Sequence, residues 1–175
     1  CRTSFFNCLK NSAKQFYLRN KNGEYIMAGY PWYNVRARDE LIALPGCTLA
    51  IDHRDDFELI TQTFIEALRR YINDGTTDRT IHEIDLPDIP LWLLWTLQQY
   101  RANQGNQRCR EHYGDVIKAL IEAIRQNRVP NLHLDDNGLL SSDGRNHPVT
   151  WLSASVNGKP IIPRSGYILE FNALW

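Results

Sequence analysis

The chain has 175 residues, 43% hydrophobic and 11% aromatic, which is enough for one folded domain with a core and argues against a disordered chain. Twenty Lys and Arg side chains balance twenty Asp and Glu side chains, so no excess of positive charge favours nucleic acid or an anionic membrane surface. An uncharged polymer or small molecule is the ligand class that this composition favours.

The cysteines and the apolar runs bear on metal content and compartment. The four cysteines contain no Cys-x-x-Cys pair, so we expect reduced thiols, no metal and no dense disulfide framework. The longest apolar run, IPLWLLWTL, has about half the length that a bilayer needs, and no signal-peptide pattern is present. We therefore expect a cytoplasmic protein. Because the first residue is not Met, a removed leader stays open as the alternative.

Helices are predicted where apolar residues recur at three- and four-residue spacing. The predicted helices span residues 6–18, 39–51, 57–72, 89–102 and 115–127. The third, FELITQTFIEALRRYI, has the clearest apolar face. The fourth follows Asp88, has Pro90 just inside its start and is apolar on nearly all sides, so we expect it in the middle of the domain.

The sequence changes character after Pro130, where Asn-Gly and Asp-Gly pairs, prolines and short alternating runs indicate turns and hairpins. The stretch SASVNGKPII predicts a two-stranded hairpin over Asn157 and Gly158, accessory to a helical body. The last stretch, YILEFNALW, predicts the start of another helix that ends without a cap, so we expect the chain to be part of a longer protein. We predict one mainly α-helical domain over residues 1–175, built as an array of helical hairpins.

Carboxylates stand near aromatic residues at the predicted loop-to-helix junctions. They are Asp39, Asp88, Asp135, Asp136 and Glu170. In an array of helical hairpins such junctions gather at one end, so acids distant in sequence can converge there. Glycoside hydrolysis needs two carboxyl groups, a proton donor and a base or nucleophile. Each acid by itself is more often a helix cap or a solvated side chain. The order of these acids along the chain and the residues beside them must therefore decide whether they are catalytic.

Four blocks of this sequence stand in a specific order. The first is AGYPWYNVRARDELIALPG and the second is DIPLWLLWTLQQY. The third is LDDNGLLSS and the fourth is TWLSASVNGKPIIPRSGYILEFNALW. Together they resemble the amylo-α-1,6-glucosidase domain of glycogen debranching enzymes, whose segments read AGYPWF…WGRDT-(I/L)-LPG, DA-P/S-LWF, D-x-x-G-L and TWMDA…TPR-x-G-x-x-VEINALW. The resemblance covers nearly the whole chain.

The resemblance implies a fold, an activity and a site. The fold is an (α/α)6 toroid, of which this chain would form about the first half. The activity is inverting hydrolysis of α-1,6-linked glucose from α-glucan, without a metal or a cofactor. Asp39 would be the general acid and Glu170 the general base, with carboxyl groups roughly 6.5–9.5 Å apart. The glucose pocket would be lined by Trp32, Tyr30, Arg38, Asp88 and Arg164.

An acid in the position of Asp39 requires a particular environment. We expect the Asp39 carboxyl group to be buried against Trp32 or Tyr30, because burial favours the protonated form that donates. An adjacent arginine that paired directly with Asp39 would instead hold it as a structural anion. The side chain that Arg38 contacts therefore decides between the two interpretations.

The sequence departs from the family pattern within the pocket. Arg36, Ala37 and Glu40 stand where the family has Trp, Gly and Thr, so a ring able to stack on sugar is lost. Ser153 stands where the family has Asp, so a carboxylate able to hold hydroxyl groups is lost. The alternative function is therefore a catalytically inactive or incomplete relative that binds α-glucan or another glycan.

Half of a toroid would leave apolar helix faces without neighbours. In the helix 89–102, the side chains of Trp92, Leu93, Leu94 and Trp95 point in several directions and a few neighbouring helices cannot cover them all. Apolar area of that kind is normally hidden by a partner. We expect either a longer polypeptide or a homodimer with an apolar interface.

Overall fold

The computed structural model describes residues 4–175, and about half of the chain is helical. Within this range the helices are α1 (Phe5–Lys14), α2 (Ala37–Cys47), α3 (Arg54–Asp74), α4 (Ile89–Gln104), α5 (Asn106–Arg125) and α6 (Leu169–Leu174). The strands are β1 (Tyr17–Asn20), β2 (Gly23–Ile26), β3 (Val35–Arg36), β4 (Ile81–His82), β5 (His133–Leu134), β6 (Leu140–Asp143), β7 (Ser155–Val156), β8 (Lys159–Pro160) and β9 (Ser165–Tyr167). The mainly α fold class is confirmed, and the toroid stays a prediction.

The longest helix, α3, follows its sequence pattern. Phe57, Phe64 and Leu68 are buried on one face, as the three- and four-residue spacing predicts. The helix starts three residues before the predicted range 57–72, because the polar first turn carries acidic residues that complement the helix dipole. Local pattern alone was sufficient to find this element.

The helix α4 lies between α2, α5 and α6, as its nearly uniform apolarity predicts. Asp88 precedes its first turn. Leu93 is fully buried, whereas Trp92, Leu94 and Trp95 are half-buried. The buried apolar residues form two clusters, one built mainly on α2, α3 and α4 and one on the end of α5, β6 and α6. Leu94 packs against both clusters, so α4 joins the two parts of the core.

The helix α2 has a proline in its interior, and the carbonyl oxygen that this proline leaves without a donor accepts a hydrogen bond from α4. Pro45 has no N–H, so the carbonyl oxygen of Leu41 loses its donor within the helix. The Thr96 hydroxyl of α4 lies 2.9 Å from that oxygen and supplies a donor from outside. The predicted helix 39–51 is too long at its end, because the chain tightens into a 3-10 turn at Leu49–Ile51.

The first predicted helix, 6–18, is wrong at its end. The helix α1 stops at Lys14, and β1 pairs with β2 in an antiparallel hairpin that the helical interpretation missed. The Asn20 side chain accepts from the Asn22 N–H at 2.7 Å and closes the turn. The cluster of turn-forming residues Asn20-Lys21-Asn22-Gly23 between two apolar runs is the signal that would have predicted this hairpin, whose loop residues are Lys21 and Asn22.

The fifth helix is longer than the predicted range 115–127. The helix α5 begins at Asn106, directly after the single residue Gly105 that separates it from α4. Its first half is polar, with Cys109 and Tyr113 as its buried residues, so it has almost no apolar stripe to detect. Packing against α4 keeps this polar half helical, which a pattern based on amphipathicity does not reveal.

The part of the chain after Pro130 contains the predicted hairpin and a sheet that was not predicted. The strands β7 and β8 pair across Asn157 and Gly158, which confirms the hairpin. The strands β5, β6 and β9 form a three-stranded antiparallel sheet. The last residue of its third strand, Tyr167, lies in the stretch predicted as the last helix, and α6 is confirmed only from Leu169 onward.

Three cysteines fall within the described residues, and Cys8, Cys47 and Cys109 are free thiols as expected. The expectation for Cys1 lies outside the described residues. Among residues 4–175, no helix combines the length and apolarity that crossing a membrane requires.

Candidate functional site

The start of α2 is anchored to α4 by a buried ion pair. Arg38 Nε donates to Asp88 Oδ2 at 2.7 Å and Arg38 Nη2 donates to Asp88 Oδ1 at 3.0 Å. The side chains are only 8% and 4% exposed. The Trp92 indole N–H donates to the same Asp88 Oδ2 at 3.1 Å. Arg38 and Asp88, both predicted to line the glucose pocket, are therefore brought together and pair with each other.

The predicted acid Asp39 forms no ion pair with Arg36 or Arg38, the two arginines that precede it. Arg38 binds Asp88, and Arg36 binds Glu83, with Arg36 Nε donating to Glu83 Oε2 at 3.3 Å. Asp39 is exposed and lines an open cavity of about 310 Å³, whose other walls are mostly apolar. The cavity is lined by Phe16, Ile26, Met27, Ala28, Asp39, Ile42, Ala43 and Cys47.

The expected burial of Asp39 against the aromatic loop is wrong. Trp32 is 83% exposed and Tyr30 is 56% exposed, and neither lines the Asp39 cavity. The loop turns back on itself, with the Tyr33 N–H donating to the Gly29 carbonyl oxygen at 3.1 Å, so its tip projects into solvent. The Tyr30 ring lies 5.9 Å from the Phe16 ring instead of covering the carboxyl group.

The predicted base Glu170 lies in the first turn of α6 and holds Arg164. Arg164 Nη2 donates to Glu170 Oε2 at 2.7 Å, and Arg164 Nη1 donates to Oε1. The Trp151 indole N–H donates to Oε1 at 3.3 Å. Chiefly through the Arg164 hydrogen bonds, the pKa of Glu170 is lowered to about 2, so the group is a carboxylate at neutral pH. Arg164, predicted to contact sugar, thus pairs with the predicted base.

Four of the predicted site residues therefore fall into two pairs, Arg38–Asp88 and Arg164–Glu170. Among residues 4–175, no hydrogen bond or ion pair connects one pair with the other. The helix α4 relates them indirectly, because Leu91 lies in its first turn and belongs to the same buried cluster as Ile168 and Phe171, which flank Glu170. The separation of roughly 6.5–9.5 Å between the Asp39 and Glu170 carboxyl groups stays a prediction.

Comparison with known proteins agrees with the sequence blocks. A family model described as amylo-alpha-1,6-glucosidase matches residues 10–175. The chain belongs to the amylo-alpha-1,6-glucosidase family. Among curated proteins and among solved structures, no match is found.

Two residues that support Glu170 in this family member were missed from the sequence. One is Trp151, whose indole N–H reaches the carboxylate. The other is Gly144, where a Cβ atom would overlap the Arg164 carbonyl oxygen and lie 2.9 Å from Val149 Cγ2. Only a residue without a side chain lets the Arg164 backbone approach so closely. The Asp-Gly pair was recognised as a turn, but its contact with a strand about twenty residues later is a tertiary feature.

Proposed function

We propose that this chain belongs to a glycoside hydrolase related to glycogen debranching enzymes, which hydrolyses α-1,6-linked glucose from an α-glucan with inversion. Asp39 is the proton donor to the leaving oxygen, and Glu170 is the base that activates water on the opposite face of the sugar. Membership of the amylo-alpha-1,6-glucosidase family supports the reaction class.

The observation that carries the proposal is the pairing of the two arginines beside Asp39. Arg38 is bound by Asp88 and Arg36 by Glu83, so both positive charges are balanced elsewhere. Within the described part of the chain, no arginine hydrogen bond therefore occupies the Asp39 carboxyl oxygens, and they can meet an oxygen of the substrate. Its exposed position at a cavity gives a glycosidic oxygen access to it.

The geometry of Glu170 supports the second half of the mechanism. Oε1 accepts from Arg164 and Trp151, whereas Oε2 accepts from Arg164 alone. A carboxylate has about four acceptor sites, so Oε2 retains a lone pair for a water molecule. The Arg164 pair also keeps Glu170 ionised, which is the state that a general base needs before the reaction.

Two observations favour the alternative, a relative that binds glycan without hydrolysing it. A carboxylate whose pKa is lowered to about 2 is a weak base, because its affinity for the water proton is small. Arg36 also occupies the place of the family's Trp, and its charge is engaged with Glu83 rather than with a sugar. In that case the site would bind an α-glucan or another glycan and leave the linkage intact.

Release of glucose from a branched limit dextrin by the full-length protein separates the two functions. For a hydrolase, we expect Asp39→Asn and Glu170→Gln each to lower kcat by about 10²- to 10⁴-fold, with dextrin binding retained. Glu122→Gln, which changes an exposed glutamate on α5, is the matched control and should keep the wild-type rate. Dextrin binding without any glucose release by the wild type would support the binding function and overturn the hydrolase.

A further inference from the structure

A second acid, Glu40, lies beside Asp39 in the first turn of α2, but it points into the protein. Its side chain is buried, with the residue only 1% exposed. Glu40 Oε1 accepts from the Ile26 N–H at 2.9 Å, and Glu40 Oε2 has no hydrogen-bond partner among the described residues. A buried carboxyl group with one unsatisfied oxygen is costly, so its presence calls for a physical explanation.

Among residues 4–175, no Lys, Arg or His side chain forms an ion pair with Glu40. Asp78, on the loop before β4, carries a like charge that helps to raise the pKa of Glu40, and the Glu40 charge helps to raise the pKa of the Tyr25 phenol on β2. Arg70 of α3 donates to Asp78 at 2.9 Å, so its charge is engaged with that carboxylate. Burial first, and Asp78 in addition, raise the pKa of Glu40 to about 8, although the Ile26 N–H acts in the opposite direction.

The hydrogen bond to Glu40 completes one wall of the Asp39 cavity. Three successive residues of this wall, Ile26, Met27 and Ala28, each donate a backbone N–H to a different part of the chain. Met27 donates to the Phe16 carbonyl oxygen at 2.8 Å, and Ala28 donates to the Asn34 carbonyl oxygen at 3.0 Å. Of these three bonds, the bond from Ile26 is the one that reaches α2.

We propose that Glu40 is a positioning residue, which locks the first turn of α2 onto Ile26 of β2 and thereby holds the Asp39 carboxyl group against the wall formed by residues 26–28. Its effect on catalysis rests on the proposed function, because Asp39 is there the acid. Glu40 does not touch the sugar or the water. It acts by fixing the direction in which its neighbour in sequence presents a proton.

A packing role for Glu40 predicts a different behaviour. Buried charged or polar groups are often replaced without loss by apolar side chains of similar volume. If Glu40 only fills space, Glu40→Leu should be as active as the wild type. If Glu40 supplies the acceptor for Ile26, Glu40→Leu leaves a buried N–H without a partner, whereas Glu40→Gln keeps an acceptor oxygen in the same place.

The experiment compares Glu40→Leu and Glu40→Gln in the full-length protein, with Glu122→Leu on the exposed face of α5 as the control. Amide hydrogen exchange, measured by mass spectrometry on a peptide covering residues 24–28, reports the hydrogen bond from the Ile26 N–H to Glu40. Glucose release from limit dextrin reports the position of Asp39. For Glu40→Leu, we expect exchange at residue 26 to be faster, and kcat to fall about 10- to 100-fold with KM nearly unchanged.

Glu40→Gln should restore both the protection of the amide and most of kcat, and this rescue distinguishes a role as acceptor for Ile26 from a role in filling space. Glu40→Thr, the residue of the family pattern, serves as the second variant if Glu40→Leu does not fold, and we expect the same direction of change. Wild-type protection and kcat in a folded Glu40→Leu or Glu40→Thr variant would overturn the proposal. If the wild type releases no glucose, the proposed hydrolase fails and the exchange result alone decides whether Glu40 forms the lock.

Discussion

The two ends of the candidate site hold the same chemical pair in opposite environments. At the start of α2, Arg38 and Asp88 are 8% and 4% exposed. At the start of α6, Arg164 and Glu170 are 25% and 34% exposed. A buried pair that loses one member leaves an uncompensated charge, whereas a solvated pair can exchange its partner for water. The first pair therefore anchors two helices, and the second sets the ionisation of one carboxylate.

The difference follows from the elements that carry the pairs. Arg38 lies on the inward face of α2, and Asp88 also accepts from Trp92, so the pair is enclosed by α4. Glu170 stands in a helix of six residues, and its neighbour Trp151 is exposed. Similar arginine–carboxylate contacts thus contribute to stability in one place and to electrostatics in the other, and burial decides which.

The largest expected effect is that of Arg38→Met, which removes the cation from the buried pair. We expect the free energy of unfolding to fall by about 3–5 kcal/mol, because Asp88 is left buried with only the Trp92 N–H as donor. Urea unfolding of the full-length protein measures it. The double variant Arg38→Met with Asp88→Leu should recover much of the loss, and a single-variant loss below about 1 kcal/mol would contradict the anchor.

A second prediction concerns pH and Glu40, which lies in the same buried region as Arg38. An unfolded glutamate titrates near 4.5, whereas burial raises the pKa of Glu40 to about 8 in the folded protein. The contribution of Glu40 to the free energy of unfolding is therefore fully present below its pKa in the unfolded chain. This contribution is lost as the pH rises through its pKa in the folded protein. The slope is at most about 1.4 kcal/mol per pH unit.

Glu40→Gln should remove this slope, because an amide does not titrate. Urea unfolding of wild type and variant at several pH values between the two pKa values is the measurement, with Glu122→Gln as the control. Equal slopes in wild type and Glu40→Gln would show that Glu40 is not protonated in the folded protein.

The third prediction moves to the half-exposed pair and its backbone support. Gly144→Ala would place a methyl group where the Arg164 carbonyl oxygen already lies, so β9 must shift. We expect a loss of about 1–3 kcal/mol in unfolding free energy. Glucose release should also be slower, because the displaced Arg164 no longer has the geometry for two hydrogen bonds to Glu170. Gly46→Ala is the matched control, since a Cβ there has nothing within 4 Å and lies in a helix. A neutral Gly144→Ala would contradict the close approach.

The smallest expected effect is that of Arg164→Met at neutral pH, about 0–1 kcal/mol, because a third of the Glu170 side chain is in water. Glu170 has a lowered pKa, so its contribution is present above the unfolded pKa of 4.5 and is lost as the pH falls toward about 2. The difference in unfolding free energy between wild type and Arg164→Met should therefore disappear as the pH is lowered from 4.5 toward about 2. A loss as large as that of Arg38→Met would remove the contrast between the two pairs.

The sequence by itself determined the elements whose cause is local. The apolar face of α3 follows from residue spacing, and the turn at Asn157 and Gly158 follows from the backbone that these two residues allow. The family blocks likewise identified Asp39 and Glu170 as the acids to examine. The hairpin over Lys21 and Asn22 carried a local signal too, a cluster of turn-forming residues, and it could have been predicted.

Only the tertiary structure decided which charges meet and which are buried. Arg36, Arg38 and Glu40 are close neighbours in sequence, yet the first pairs with Glu83, the second with Asp88, and the third accepts from Ile26. Arg36 belongs to β3, and Arg38 and Glu40, two residues apart on α2, point in directions about 200° apart, so each of the three meets a different element. The partner comes from a segment distant in the chain, and its burial sets the strength of the interaction, which residue spacing does not encode.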